Sequence, residues 1–426
     1  MIPQETVVNT ISVVSKAIKQ KIEDSSWDYR GEFTKAYTHG FHSYPAMMIP
    51  QVARRLILEY SNEGDSLLDP FCGSGSVLVE AKLNKRYSFG IDLNPLAILI
   101  ARVKTRPIEP KLLTKQLWNI LENLNALQIE EIEEPNFFNI RFWFKEMVIF
   151  QLAKLKTIIS NIEATEVREF FQVVFSEVVR LSSNSRSSEF KLYRYPYERL
   201  QSHEPDPIKL FKNKAMANIA GMEKYYSEAR DPYWARPILG DTTKLTQVLQ
   251  HPIHIVVTSP PYGDSRTTVA YGQFSRLSSQ WLGLEGYENV DKKSLGGISV
   301  ATLHCSLPSE TLSEVIKVIG KADERRAKDV LSFYIDLNKA LIEIDKVMKK
   351  RGVLCFVIGN RSVKGIRLPT DIILAELLTN LGYCHLATII RNIPSKAMPL
   401  RNSPSNIAGR VSDTIHKENI VIMRKG

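Results

Sequence analysis

The chain has 426 residues, 44% of them hydrophobic and 24% charged, with no low-complexity tract; this composition excludes fibrous and disordered classes and allows a large buried core. Lysine and arginine outnumber the acids by 56 to 46, and the resulting net charge of +10 suits a polyanionic partner such as nucleic acid. Cys72, Cys305, Cys355 and Cys384 form no C-x-x-C pair, the amino terminus carries no signal-peptide pattern, and no apolar run is long enough for a bilayer. A cytoplasmic protein with reduced thiols and no membrane partner is expected.

In chain order, FHSYPAMMIPQVARRLI (41–57) is a turn followed by an amphipathic helix with a proline start. SLLD (66–69) is a short strand entering a glycine-rich turn and a helix near 75–85, and YSFGID (87–92) repeats the strand before a helix on NPLAILIARVK. The interval from Asp92 to Asp241 far exceeds the usual βα connection of about 2–6 residues. It reads as helical: 139–159 and 166–183 carry apolar residues at helical spacing, and RSSEFKLYRYPYERL (186–200) is basic and aromatic. RPILGD (236–241) precedes a short helix, and HIVVTS (253–259) is a buried strand. VLCFVIG (353–359) precedes a helix at 369–381, and YCHLATIIR (383–391) and ENIVIMR (418–424) form a terminal hairpin. This alternation predicts an α/β, doubly wound, mostly parallel sheet. Its organisation is an amino-terminal part (1–104), an inserted helical module (105–235) and a carboxyl-terminal part (236–426).

LLDPFCGSGSVLVEA (67–81) is strand, turn and helix. Gly73 and Gly75 let the backbone approach a ligand, and the helix amino terminus adds partial positive charge. Asp92 ends the next strand, where an acid accepts ribose hydroxyls. The turn lacks G-x-G-x-x-G and G-K-[ST], which argues against a dinucleotide or a triphosphate. In TSPPYG (258–263), Pro260 and Pro261 terminate the strand abruptly and stiffen the turn beyond it. Together DPFCGSG and TSPPY resemble the S-adenosylmethionine-dependent DNA amino-methyltransferases, whose motifs read D-P-F-x-G-x-G and [S/D/N]-P-P-[Y/F/W].

That resemblance implies a seven-stranded methyltransferase sheet with a terminal antiparallel hairpin and S-adenosylmethionine as cofactor, and makes 1–104 the cofactor-binding half, 105–235 a target-recognition module and 236–426 the catalytic half. It places Asp69, Pro70, Phe71, Gly73 and Gly75 at the methionine end, Asp92 and Leu93 at the ribose, and Asp241 near the adenine. Tyr44, Pro45 and Ala46 resemble a turn that packs on the cofactor. Ser259, Pro260, Pro261 and Tyr262 would be catalytic. The residue types suit the chemistry: acceptors at the amino hydrogens favour a tetrahedral nitrogen, and Tyr262 offers a face for an extruded base. Serine before PPY usually accompanies cytosine N4 methylation in this family. DNA adenine N6, or an RNA amino group, is the alternative, and a catalytically silent binding module is a more distant one.

Duplex DNA is the expected partner, with a separate restriction endonuclease as a companion. Phosphate contacts are expected from Arg186, Lys191 and Arg194 in the basic aromatic stretch, and from Arg266 and Arg276 after the catalytic turn. Arg391, Lys396, Arg401 and Arg410, in a loop between the last two strands, extend the same surface. His39, His42, His304 and Cys305 have no zinc spacing, and no metal is expected. Gly359 and Asn360 are expected beside the substrate cleft.

Overall fold

Two four- to six-residue apolar strands, β2 (Ser66–Asp69) and β5 (Ile253–Thr258), lie side by side and parallel, with Leu67 opposite Ile255 and Leu68 opposite Val256. They form the middle of the sheet in the computed structural model, which describes residues 17–18, 20–126, 132, 134–186, 189–264, 268–394, 401–402, 412–413 and 415–426. The other main-sheet strands are β1 (Lys21–Glu23), β3 (Tyr87–Asp92), β4 (Ala235–Leu239), β6 (Met348–Ile358), β7 (Tyr383–Asn392) and β8 (Lys417–Lys425). Their order is β1-β7-β8-β6-β5-β2-β3-β4. β8 runs antiparallel between β6 and β7, and the remaining pairs are parallel. The seven expected strands are therefore present, and the short β1 extends the edge beyond the terminal hairpin. Strand order reverses between β2 and β5, so the connections at their carboxyl ends part and leave a crevice.

Period-two alternation sorts the strands' side chains onto two faces. Leu68, Val256, Leu354, Phe356 and Val421 face a layer made by α9 (Glu310–Ala322), α10 (Glu324–Val347) and α11 (Thr370–Asn380). Leu67, Ile255, Val257, Cys355 and Ile422 face α1 (Pro50–Tyr60) and Trp27. α9 and α10 occupy a stretch for which the strand-and-helix pattern gives no expectation. Their starts are capped: Ser309 accepts from Leu312 N–H and Asp323 from Arg326 N–H.

The expected insertion is helical, comprising α4 (Pro110–Ala126), α5 (Glu146–Ser160), α6 (Thr165–Ser182) and α7 (Pro207–Glu228). The single helix expected over 139–159 is broken. A short turn at Ile140–Trp143 ends at Phe144, whose extended backbone (φ −139°) turns its ring into the core, 5.6 Å from Trp281. The insertion shares one continuous core with α3 (Pro95–Thr105) and α8 (Tyr271–Leu282), through Leu96, Ile100, Phe171, Val178, Phe274 and Trp281. The four cysteines are unbridged, and among the described residues no helix is long and apolar enough to cross a membrane.

Gly75 caps α2 (Ser76–Leu83) at φ +80°, and a Cβ there would lie 2.8 Å from Ala101 Cβ. Left-handed backbone alone costs an L-residue about 1–2 kcal/mol. Gly75→Ala is expected to lower the unfolding free energy by at least that much, read as a lower urea midpoint at an unchanged slope; an unchanged midpoint would contradict the packing described.

Candidate active site

A cleft opens at the carboxyl ends of β2 and β5, where open α/β sheets place their ligands. Of the residues predicted to build the site, all but Gly75, Pro260 and Tyr262 line it. Tyr44, Pro45 and Ala46 come from the turn before α1; Asp69, Pro70, Phe71 and Gly73 from the loop after β2; Asp92 and Leu93 from the end of β3; and Asp241 from the turn after β4. Ser259 and Pro261 line the same space. Gly75 stands behind it, against Ala101.

The loop after β2 is shaped by the acid that follows β3. Asp92 accepts from Gly73 N–H at 2.9 Å with one oxygen and from Asn94 N–H at 2.8 Å with the other. A carboxylate offers about four lone-pair positions, so each oxygen keeps capacity toward the cleft. Gly73 has φ +48°, and a Cβ on it would touch the Tyr44 ring at 3.4 Å, so the aromatic ring lies against bare backbone. Tyr44 is fixed in turn: its hydroxyl accepts from Asn94 Nδ2 at 3.1 Å, and its ring stacks on Tyr271 at 6.1 Å. Asp241 accepts from the amide and hydroxyl of Thr243, at 2.9 and 2.7 Å.

The TSPPY turn is tied to this loop. The Thr258 hydroxyl donates to Asp69 at 2.6 Å, and Phe71 N–H donates to the same oxygen at 3.2 Å. Burial pushes the Asp69 carboxyl up to about 7 despite those two bonds, and burial likewise raises Asp92 to about 6. Pro260 is buried beneath the turn. Asp264, fully buried, pairs with Arg361 at 3.3 Å and Arg326 at 3.6 Å. The Arg361 guanidinium lies so close to Gly263 that any Cβ there would fall 2.2 Å from Cζ. TSPPYGD is thus clamped at both ends.

Tyr262 stands beside the cleft rather than in its wall. Its ring edge covers Gly359, where a Cβ would lie 2.8 Å away, and its hydroxyl donates to Glu418 at 2.8 Å. Ser259 Oγ approaches that hydroxyl at 3.4 Å. Burial and the neighbouring Glu418 charge raise the phenol well above its ordinary value. Asn360, expected beside the cleft with Gly359, bonds instead to Asp371 at 2.8 Å.

The expected phosphate contacts are less uniform. Arg276 is exposed on α8. Arg186 is exposed and paired with Glu189 at 3.0 Å. Arg194 lies over the Phe142 ring at 4.2 Å and donates to Phe142 O at 3.0 Å; Lys191 lies near them, half-buried. Arg401 belongs to a two-residue strand paired with Ser412–Asp413. Arg266, Lys396 and Arg410 lie outside the described residues. The expectation for Arg391 is corrected: it is 4% exposed, donates to Trp27 O and Asp28 O, and pairs with Glu418. A guanidinium this buried, with all three nitrogens engaged inside the protein, is turned away from any phosphate. Sequence reasoning missed Tyr271, Thr242 and Lys293 in the cleft wall; of the site's supports, only Asn94 advertised itself, as an Asn-Pro helix start.

The family model N6_N4_Mtase, described as DNA methylase, matches residues 7–102. Type II methyltransferase M.MvaI of Kocuria varians is 38% identical over 435 residues, covering 96% of each chain. A tRNA (guanine(10)-N2)-dimethyltransferase of Methanocaldococcus jannaschii is 33% identical over 96 residues, 21% of this chain and 27% of that one. Among solved structures, the rRNA methyltransferase aviRa of Streptomyces viridochromogenes aligns at TM-score 0.35 and 11% identity, over 89% of this chain and 86% of the other. An acid beneath the glycine loop, a second at the end of β3 and a third after β4 suit the cationic and hydroxyl groups of S-adenosylmethionine. With a relative matched along nearly its whole length, the chain belongs to the S-adenosylmethionine-dependent DNA amino-methyltransferase family.

Proposed function

We propose that the protein methylates the exocyclic N4 of cytosine at a specific sequence in duplex DNA, after extruding the target base from the helix. The observation that carries this reading is the cleft shared by the acids of the glycine loop and by Ser259 and Pro261, joined through the Thr258–Asp69 bond. Tyr44, Gly73, Asp92 and Asp241 would hold the cofactor, with Asp69 toward its methionine part. When bound, S-adenosylmethionine supplies an electrophilic methyl group on sulfonium sulfur.

The chain's own groups prepare the nucleophile. The lone pair of a cytosine amino group is delocalised into the ring, so the nitrogen must be drawn toward tetrahedral geometry. Ser259 Oγ and the Pro260 carbonyl accept its two hydrogens, and the proline pair fixes both acceptors in advance. Tyr262, its hydroxyl held by Glu418, presents a face of set orientation to the base. The proton released leaves to water. Serine, rather than an acid, before PPY favours cytosine over adenine. The type II name of the Kocuria varians relative supports a role in protecting DNA beside a separate restriction endonuclease.

Nucleoside mass spectrometry after incubation with duplex DNA is expected to yield N4-methylcytosine. N6-methyladenine would overturn the choice of base, and methylation of transfer RNA alone would overturn the substrate. Base stacking on an aromatic ring is worth about 1–3 kcal/mol. Tyr262→Ala should therefore lower kcat/KM on DNA about 5- to 150-fold while cofactor affinity stays within about twofold; normal turnover would remove Tyr262 from the mechanism. The cofactor's positive charge favours the ionised form of Asp69, and its ribose hydroxyls donate to the ionised form of Asp92. As those acids ionise at about 7 and about 6, cofactor affinity should rise between pH 5.5 and 7.5, with proton release on binding. A flat calorimetric profile over that window would contradict the assignment of both acids.

A further inference from the structure

The turn that carries Tyr44 into the cleft is held from the far side by the inserted helices. Gly221 on α7 lets that helix meet the backbone of Tyr37, since a Cβ at 221 would lie 2.4 Å from Tyr37 O. Further along, Lys214 Nζ donates to Gly40 O and Asn218 Nδ2 to Phe41 O, both at 3.2 Å. The last hold comes from α6. Glu177, 2% exposed, accepts from Ser43 Oγ at 2.6 Å and from Ser43 N–H at 3.3 Å, with His42 Nδ1 3.3 Å from its second oxygen. The next residue is Tyr44, whose ring rests on Gly73. One turn beyond Glu177, Arg180 covers the Phe274 ring at 3.9 Å, and Phe274 meets Tyr44 edge-on at 5.7 Å.

We infer that Glu177 is a positioning residue for the cofactor site: by fixing Ser43 it seats Tyr44 over the glycine loop, so the inserted module shapes the cofactor cleft. The inference rests on the reading of Tyr44 as part of that cleft. A buried carboxylate accepting both a hydroxyl and a backbone amide leaves the Ser43 backbone little freedom, and Tyr44 inherits the restriction. Removing the carboxylate frees both donors and loosens the turn without touching any group in the cleft wall.

The test is the dissociation constant for S-adenosylmethionine, measured by calorimetry in the absence of DNA. Glu177→Ala should weaken binding about tenfold, the loss expected of a charge-assisted hydrogen bond, and Glu177→Gln, whose amide oxygen still accepts from the Ser43 hydroxyl, should recover most of it. Tyr44→Ala should also weaken binding, and the double variant Glu177→Ala/Tyr44→Ala should be no weaker than Tyr44→Ala alone, a non-additivity that general destabilisation would not produce. Thermal melts check folding. Should Glu177→Ala fail to fold, Ser43→Ala removes only the hydroxyl, with an expected loss of about threefold and the same non-additivity. Additive losses, or unchanged binding in the Glu177 and Ser43 variants while Tyr44→Ala weakens it, would overturn the inference alone. Unchanged binding in Tyr44→Ala would overturn the cofactor reading and this inference with it.

Discussion

The hydrogen bond from Thr258 to Asp69 is the constraint on which the site depends. It joins the carboxyl ends of two neighbouring parallel strands at the point where strand order reverses. On one side of it the chain turns into the glycine loop; on the other it turns into two prolines. Because both groups are buried, the bond is not diluted by water, and loss of either partner would strip the other of a buried hydrogen bond at a cost of about 1–3 kcal/mol. It fixes the relative position of two loops that face different reactants. Asp92 extends the tie to a third strand by accepting from Gly73 N–H.

Support for the catalytic turn comes from charges kept away from water. Asp264 is enclosed by Arg361 and Arg326, and Tyr262 is held through Glu418, whose other oxygen is paired with Arg391. Arg391 in turn donates to the backbone at Trp27 and Asp28, so the amino-terminal segment, the last two strands and Tyr262 form one connected network. Buried ion pairs are poor sources of net stability but strong geometric constraints, because breaking one strands a charge. Here such pairs sit beside the reacting groups, where fixed geometry matters most.

Much of the site was legible because its requirements are local. Glycines at positive φ, proline pairs at a strand end and an acid after a strand all leave marks within a few residues, and DPFCGSG and TSPPY carry them. The sheet was legible because alternation along each strand matches the two faces it buries. Long-range features were not. Tyr271 becomes part of the cleft only because α8 brings it against Tyr44, more than two hundred positions earlier. Arg391 looks like a phosphate contact in a run of basic residues, yet its partner Glu418 stands 27 positions further along the chain. The kink at Phe144 follows from the position of Trp281, which no window around Phe144 contains. The edge strand β1 is three exposed residues with no apolar pattern at all.

The most direct test of a shared donor and acceptor cleft is a co-crystal structure with a non-reactive S-adenosylmethionine analogue and a duplex containing the target sequence. The account predicts the analogue between Tyr44, Asp92 and Asp241, and an extruded cytosine whose amino nitrogen meets Ser259 and lies about 3–3.5 Å from the position of the transferable methyl. An analogue bound away from the glycine loop, or an extruded base held far from Ser259, would contradict it.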